Sequence, residues 1–236
     1  MNKFIRAFTF GILALPLFAL ASSGGMHLDK AGNDLADKES LKRGFDSYVN
    51  YCLGCHQLKY QRYNRTFTDL GISDEDGLAK YLQNGQKPGE HITNTMPAKD
   101  SAKWFGSAPP DLTLMARLKP GPDYIYTYLR SFYVDPERPF GVNNKVFKDV
   151  GMPHVLQGLQ GLRTLDEHGN LTEAAGGSMT AEEYDAFARD LANFLEYTAE
   201  PNKLEREAMG YWVIGFLVIF LIFAYLLKVE YWRDVH

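Results

Sequence analysis

Two stretches of the chain repeat apolar positions at helical spacing. In "ADKESLKRGFDSYVNYC", Leu41, Phe45, Tyr48 and Val49 recur at i, i+4, i+7 and i+8, which is one face of a helix. That helix is predicted from about Glu39 into the following cysteine. In "GSMTAEEYDAFARDLANFLEYTAEPNK", Thr180 and Glu183 stand at capping-box separation. Tyr184, Phe187, Ala188, Leu191, Phe194 and Leu195 then hold one face for three turns, and Pro201 marks the stop. Shorter patterns predict a helix around Leu78–Leu82 ended by Gly85 and another from Asp123 to Phe132, with "PPDLTLMARLK" as a third short candidate. Residues 22–36 are small and polar and read as an extended lead-in. Segments 86–110 and 133–177 are rich in Gly, Pro and Asn, and no alternation in them is long enough to predict a sheet.

Two further stretches are apolar all round. "MNKFIRAFTFGILALPLFALASS" places Lys3 and Arg6 before an apolar run from Phe8 to Leu20 and a small-x-small site at Ala19–Ala21. It reads as a secretory signal peptide, residues 1–21, with an uncleaved anchor as the alternative. Between Glu207 and Lys228 lie twenty uncharged residues, "AMGYWVIGFLVIFLIFAYLL". As a helix they cover ~30 Å, the hydrocarbon thickness of a bilayer. Tyr211 and Trp212 at one end, and Tyr231 and Trp232 past the other, match interfacial aromatic belts. The predicted organisation is a signal peptide (1–21), an exported domain (22–206), a transmembrane helix (207–228) in the lipid bilayer, and a short cytoplasmic tail (229–236).

Composition changes this picture little. The chain is 45% hydrophobic and 23% charged, with formal net charge -4. Removing residues 1–21 takes two positive charges and leaves 23 basic against 29 acidic residues, net -6. That balance does not fit a nucleic-acid partner, which usually calls for a basic domain. The architecture raises a question instead. A few short helices joined by long irregular loops make a poor core, and loops beyond ~12–15 residues are uncommon in compact domains unless functional or disordered. A large apolar cofactor would give such loops something to pack on.

The candidate chemistry lies in "YCLGCHQLKY", which holds the only two cysteines, Cys52 and Cys55, with His56 beside the second. A Cys52–Cys55 disulfide would close a very small loop, stabilise little and leave His56 without a role. A redox dithiol belongs at a helix N-terminus, usually after a strand, whereas here a predicted helix precedes the pair. A zinc site needs four ligands, and His27, His91, His154, His168 and His236 show no H-x3–5-H spacing with His56 or one another. Cys-x-x-Cys-His is the signature of covalent c-type haem attachment. Thiols at i and i+3 face one side of a helical turn and can reach the two vinyl groups of one porphyrin. The adjacent imidazole is then placed to bind the iron. Cys52 and Cys55 are therefore read as the tethers of one haem c and His56 as its proximal ligand.

With these residues in view, the chain resembles the bacterial cytochrome c1 family. The resemblance covers nearly the whole chain after the signal peptide. It rests on "YCLGCHQLKY", "APPDLTLMARLKPGPDYIYTYL", "VFKDVGMPH", "GSMTAEEYDAFARDLANFLEYTAEP" and one C-terminal membrane helix, in that order. It implies a mainly α, cytochrome-c-like haem domain with long loop insertions. The helix entering the haem motif would cross the helix before the anchor, so that Phe45 and Tyr48 pack on Phe194 or Tyr197. It implies an electron-transfer subunit of a respiratory quinol:cytochrome c oxidoreductase, not an enzyme by itself. Such a subunit would sit in the inner membrane with its haem domain in the periplasm, beside cytochrome b and a Rieske iron–sulfur subunit. It would accept one electron from the Rieske protein and pass it to a soluble c-type cytochrome. The same resemblance places Pro109 and Pro110 along the porphyrin, and Arg117 or, as the alternative, Lys119 at a propionate, with Tyr124 able to hydrogen-bond it. A free-standing anchored cytochrome serving a terminal oxidase is the alternative, but it should lack the loop-wrapped middle and the Pro-Pro-Asp-Leu segment. The acidic run Asp74–Asp76 reads first as a helix N-terminus and second as a steering patch for a basic partner.

A sixth ligand is wanted if the iron only carries electrons. Met96 and Met152 are both followed by proline in irregular chain, "NTMPAKD" and "VGMPHVL", and proline stiffens the backbone behind a weakly binding thioether. Spacing does not separate them. Gly151 would allow close approach to the ring, and Val150 and Val155 would shield the site. The resemblance implies Met152, because the family's axial methionine follows a glycine late in the domain.

Overall fold

The computed structural model describes residues 27–82, 85–118 and 120–235. The signal-peptide segment and Lys119 lie outside the described residues. About half of the described chain is helical and the strands are short. Helices α1 (Lys38–Tyr51) and α7 (Ala181–Ala199) form the centre. Asp37 starts α1 by accepting from the Ser40 amide, and Thr180 with Glu183 closes a reciprocal capping box on α7. Both helices begin where the sequence pattern puts them.

The two helices cross closely because α1 presents small residues, Ser40, Gly44 and Ser47, on its buried face. A Cβ on Gly44 would lie 2.1 Å from the Asp190 carbonyl oxygen and 2.6 Å from Phe194 Cβ. Asp190 accepts from Ser40 Oγ at 2.6 Å and from Arg43 Nε at 2.6 Å, fixing the crossing with charge-assisted bonds. Phe45 and Tyr48 pack on Phe194 with ring centroids 5.2 and 5.8 Å apart, as the family resemblance implies. Gly44→Ala is expected to destabilise the fold by at least the ~1–3 kcal/mol typical of overpacking, because the obstacle is backbone. Thermal unfolding in detergent measures it, with Gly158→Ala as the control, since a Cβ there meets nothing within 4 Å. Equal melting temperatures for the two variants would refute the account.

Elsewhere the elements depart from the sequence expectations. The helix expected at Leu78–Leu82 is α3, Asp74–Lys80, starting four residues earlier. Ser73 caps it by accepting from the Asp76 amide, and Asp74, Glu75 and Asp76 occupy its first turn, so the acidic run serves the helix N-terminus. Two helices carried no readable pattern: α2 (Tyr63–Leu70) and α4 (Ala98–Phe105). The helix expected over Asp123–Phe132 is α5, Pro122–Arg130, with proline in its first turn. The "PPDLTLMARLK" candidate is only a 3-10 turn, Met115–Arg117. The single turn α6 spans Gln157–Gln160.

Among the described residues the loop regions hold three antiparallel two-stranded ribbons: β1 (Leu58–Arg62) with β2 (His91–Ile92), β3 (Phe132–Val134) with β4 (Val142–Asn144), and β5 (Gly161–Leu162) with β6 (Ala175–Gly176). Segments of two to five residues are too short to show alternation, which is why the sequence predicted none. The lead-in straps the core. The Ala31 amide donates to Asp123 on α5, while Arg189 and Asn193 on α7 donate to the Ala31 and Asp34 carbonyls.

Helix α8 runs Lys203–Trp232, 30 residues, and none of its residues is buried. It is long and apolar enough to cross a membrane. The helix continues beyond the uncharged stretch between Glu207 and Lys228 at both ends.

Candidate haem-binding site

The turn carrying Cys52, Cys55 and His56 continues directly from the C-terminal end of α1. The Cys55 and His56 amides both donate to the Cys52 carbonyl, at 3.0 and 2.8 Å, so one tight turn brings the two thiols and the imidazole together. Tyr48, buried on α1, donates its hydroxyl to the His56 carbonyl at 2.6 Å and sets the angle of that turn. Cys52 is buried in the main core and Cys55 is half-buried, both as free thiols. Burial, and then the neighbouring Cys55, push the Cys52 thiol up to about 12. A redox dithiol needs a thiolate at a helix N-terminus; this pair follows a helix C-terminus, and the buried Cys52 thiol holds its proton.

His56 has the features of a prepared ligand. Its Nδ1 lies 2.8 Å from the Pro110 carbonyl oxygen. Nδ1 is thereby the donor, the tautomer is fixed, and Nε2 is left with its lone pair free. Burial lowers the imidazole pKa, outweighing the bond to Pro110, so the ring is neutral as metal ligation requires. Pro110 was read from sequence as a stiffener beside a porphyrin. Its carbonyl has a more specific role, orienting His56. The Pro-Pro-Asp-Leu segment is fastened for this: the Leu112 amide donates to Gln57 at 2.9 Å, and the Lys59 amide to Asp111 at 2.8 Å. Thr198 on α7 also donates to the Thr113 carbonyl at 3.4 Å.

Met152 belongs to a second apolar cluster, with Phe132, Val142 and Val150, bordered by Tyr128. Tyr128 also packs on the main core that contains Cys52, so the two clusters meet at this ring. The loop into Met152 is wound on two buried asparagines. Asn144 Oδ1 accepts from the Val146 and Phe147 amides, and Asn143 Oδ1 from the Asn144 and Asp149 amides. Arg138 donates to the Asp149 carbonyl at 2.7 Å. Sequence reasoning missed all three residues; the Asn-Asn pair in a loop rich in turn formers was the available signal.

Val155 is 40% exposed, whereas Val150 is buried beside Met152. Gly151 permits a close approach to protein: a Cβ there would lie 2.5 Å from the Phe105 carbonyl oxygen at the end of α4. Met96 is half-buried, and its amide donates to Asn94, which also donates to the Leu53 carbonyl at 2.8 Å. Both Met-Pro loops are thus tied to elements of the site.

Tyr124 is half-buried and stacks on Tyr128 at 6.0 Å, which puts it near Met152. Arg117 is exposed on the 3-10 turn, and no hydrogen bond to protein engages its guanidinium among the described residues. Lys119 lies outside the described residues. The donor set fits a c-type haem: two free thiols on one turn, a neutral imidazole with a free nitrogen, and a thioether on a rigid loop.

A family profile described as "Cytochrome C1 family" matches residues 31–235. The chain is 50% identical to the cytochrome c1 of Allochromatium vinosum, over the full length of both proteins. It is 45% identical to a Nitrosomonas europaea protein named ammonia monooxygenase gamma subunit, over 99% of this chain and 100% of that one. The cytochrome c1 of Rhodospirillum rubrum is 29% identical over 95% of this chain and 94% of its own.

Proposed function

Because the chain belongs to the cytochrome c1 family, the haem-bearing electron-transfer subunit of the bc1 complex, we propose that it carries single electrons from a Rieske iron–sulfur subunit to a soluble c-type cytochrome. Proteins of this family bind haem c. Here Cys52 and Cys55 would hold one haem covalently, His56 and Met152 would ligate its iron, and Arg117 and Tyr124 would face a propionate. The observation that carries this reading is the 2.8 Å contact of His56 Nδ1 with Pro110, which leaves Nε2 as a ligand beside two thiols on the same turn. The bound iron supplies a one-electron couple. The protein supplies two fixed ligands that neither enter nor leave as the charge changes, and a Met/His pair keeps the potential relatively high.

The signal peptide directs the domain of residues 22–206 to the periplasm, and α8 anchors it in the inner membrane beside cytochrome b, with residues 229–236 in the cytoplasm. Purification in detergent through a tag on this chain tests the assignment. A b-type haem and a Rieske centre are expected to co-purify. Recovery alone points to a free-standing carrier. Recovery with ammonia monooxygenase subunits points to the role named for the Nitrosomonas relative.

A further inference from the structure

The Tyr128 hydroxyl donates to the Met152 sulfur at 3.4 Å. A buried tyrosine hydroxyl ordinarily finds an oxygen or nitrogen acceptor, and a thioether is a weak one. The ring is nevertheless held for this contact by two aromatic neighbours. It stacks on Tyr124 at 6.0 Å and meets Phe132 edge-on, with centroids 5.3 Å apart and planes at 78°. The Met152 loop is tied to the same residue a second time. Asn144, 1% exposed, donates to the Tyr128 carbonyl at 2.8 Å while its Oδ1 holds the turn that leads to Met152. Helix α5 and the ligand loop are therefore registered to each other at Tyr128, through backbone and side chain together.

We infer that Tyr128 is a positioning residue that sets the reduction potential of the haem through its hydrogen bond to Met152. This rests on the reading of Met152 as the sixth ligand. A thioether sulfur has two lone pairs; one can bind iron while the other accepts from the hydroxyl. Donation draws electron density from the sulfur and weakens it as a ligand. The ferric state depends on that density more than the ferrous state does. The bond therefore favours the reduced iron and raises the potential, an example of tuning by a group one step removed from the metal.

The test uses the full-length protein purified with its haem, comparing wild type, Tyr128→Phe, and a protein carrying 3-fluorotyrosine at position 128, whose phenol is a stronger donor. Tyr128→Phe should shift the one-electron equilibrium about threefold toward the oxidised form, ~28 mV lower at 59 mV per decade. The thioether-to-ferric-iron charge-transfer band should persist but move. The fluorinated protein should shift the other way. Tyr133→Phe, which loses a hydroxyl from the neighbouring β3 position outside the Met152 cluster, should leave potential and band in place. Unchanged potential in the fluorinated protein overturns the inference, including the case where Tyr128→Phe fails to mature. A charge-transfer band that survives in Met152→Leu overturns the ligand assignment itself, so the two failures are separable.

Discussion

Replacing Cys52 and Cys55 together by alanine is expected to abolish covalent haem and to sharply lower the amount of mature protein. In the wild type, acid–acetone should leave the haem on the polypeptide. Each single variant should retain at most one thioether, and the double variant none. The expected loss is not a packing effect. Cys52 is buried beside α7, but Cys→Ala removes one sulfur, a smaller deletion than Leu→Ala at ~2–5 kcal/mol. Cys55 is only half-buried. The turn itself is built from backbone bonds and from Tyr48, and alanine disturbs neither. A maturation defect in these variants therefore reports the lost thioether bonds. Haem that extracts completely from the wild type would end the c-type reading.

The parts of this site that sequence made legible are those where one local pattern carries the chemistry. Cys-x-x-Cys-His sits within five residues and has a spacing that geometry explains, and α1 and α7 are long enough for helical periodicity to emerge. The second half of the site was less legible, because it is assembled from contacts distant in sequence. His56 and Pro110 are 54 residues apart and meet through a carbonyl, which no side-chain pattern encodes. Tyr128 reads as one more aromatic on the face of α5, and only the fold shows its hydroxyl at a sulfur 24 residues away. The helices α2 and α4 have eight residues each, too few for a decisive period. Gly151 was recognised as a close-approach glycine, yet its neighbour is the Phe105 carbonyl, which sequence had no means to name.

Met152→Leu is expected to remove the sixth ligand while leaving the haem attached. Leucine nearly matches methionine in volume, and such exchanges usually cost under ~1.5 kcal/mol. The cluster with Phe132, Val142 and Val150 should therefore persist, and Asn143, Asn144 and Arg138 should still hold the loop. With the thioether gone, the charge-transfer band should vanish and carbon monoxide should bind the reduced iron. The potential should fall by at least about 59 mV, one decade in the one-electron equilibrium, because a Met/His pair raises it. Met96→Leu is the informative comparison. Its loop is also tied to the site, through Asn94 to the Leu53 carbonyl, and it also precedes a proline. What separates the two is the surroundings of the sulfur. Met152 lies in an apolar cluster, under a donor from a fixed ring, on a loop wound around buried asparagines. For Met96 the fixed group is the backbone amide. Met96→Leu should therefore keep the band, the potential and the closed sixth position. The opposite result, with Met96→Leu opening the iron and Met152→Leu silent, would move the ligand to the other Met-Pro loop and leave Tyr128 with a purely structural role.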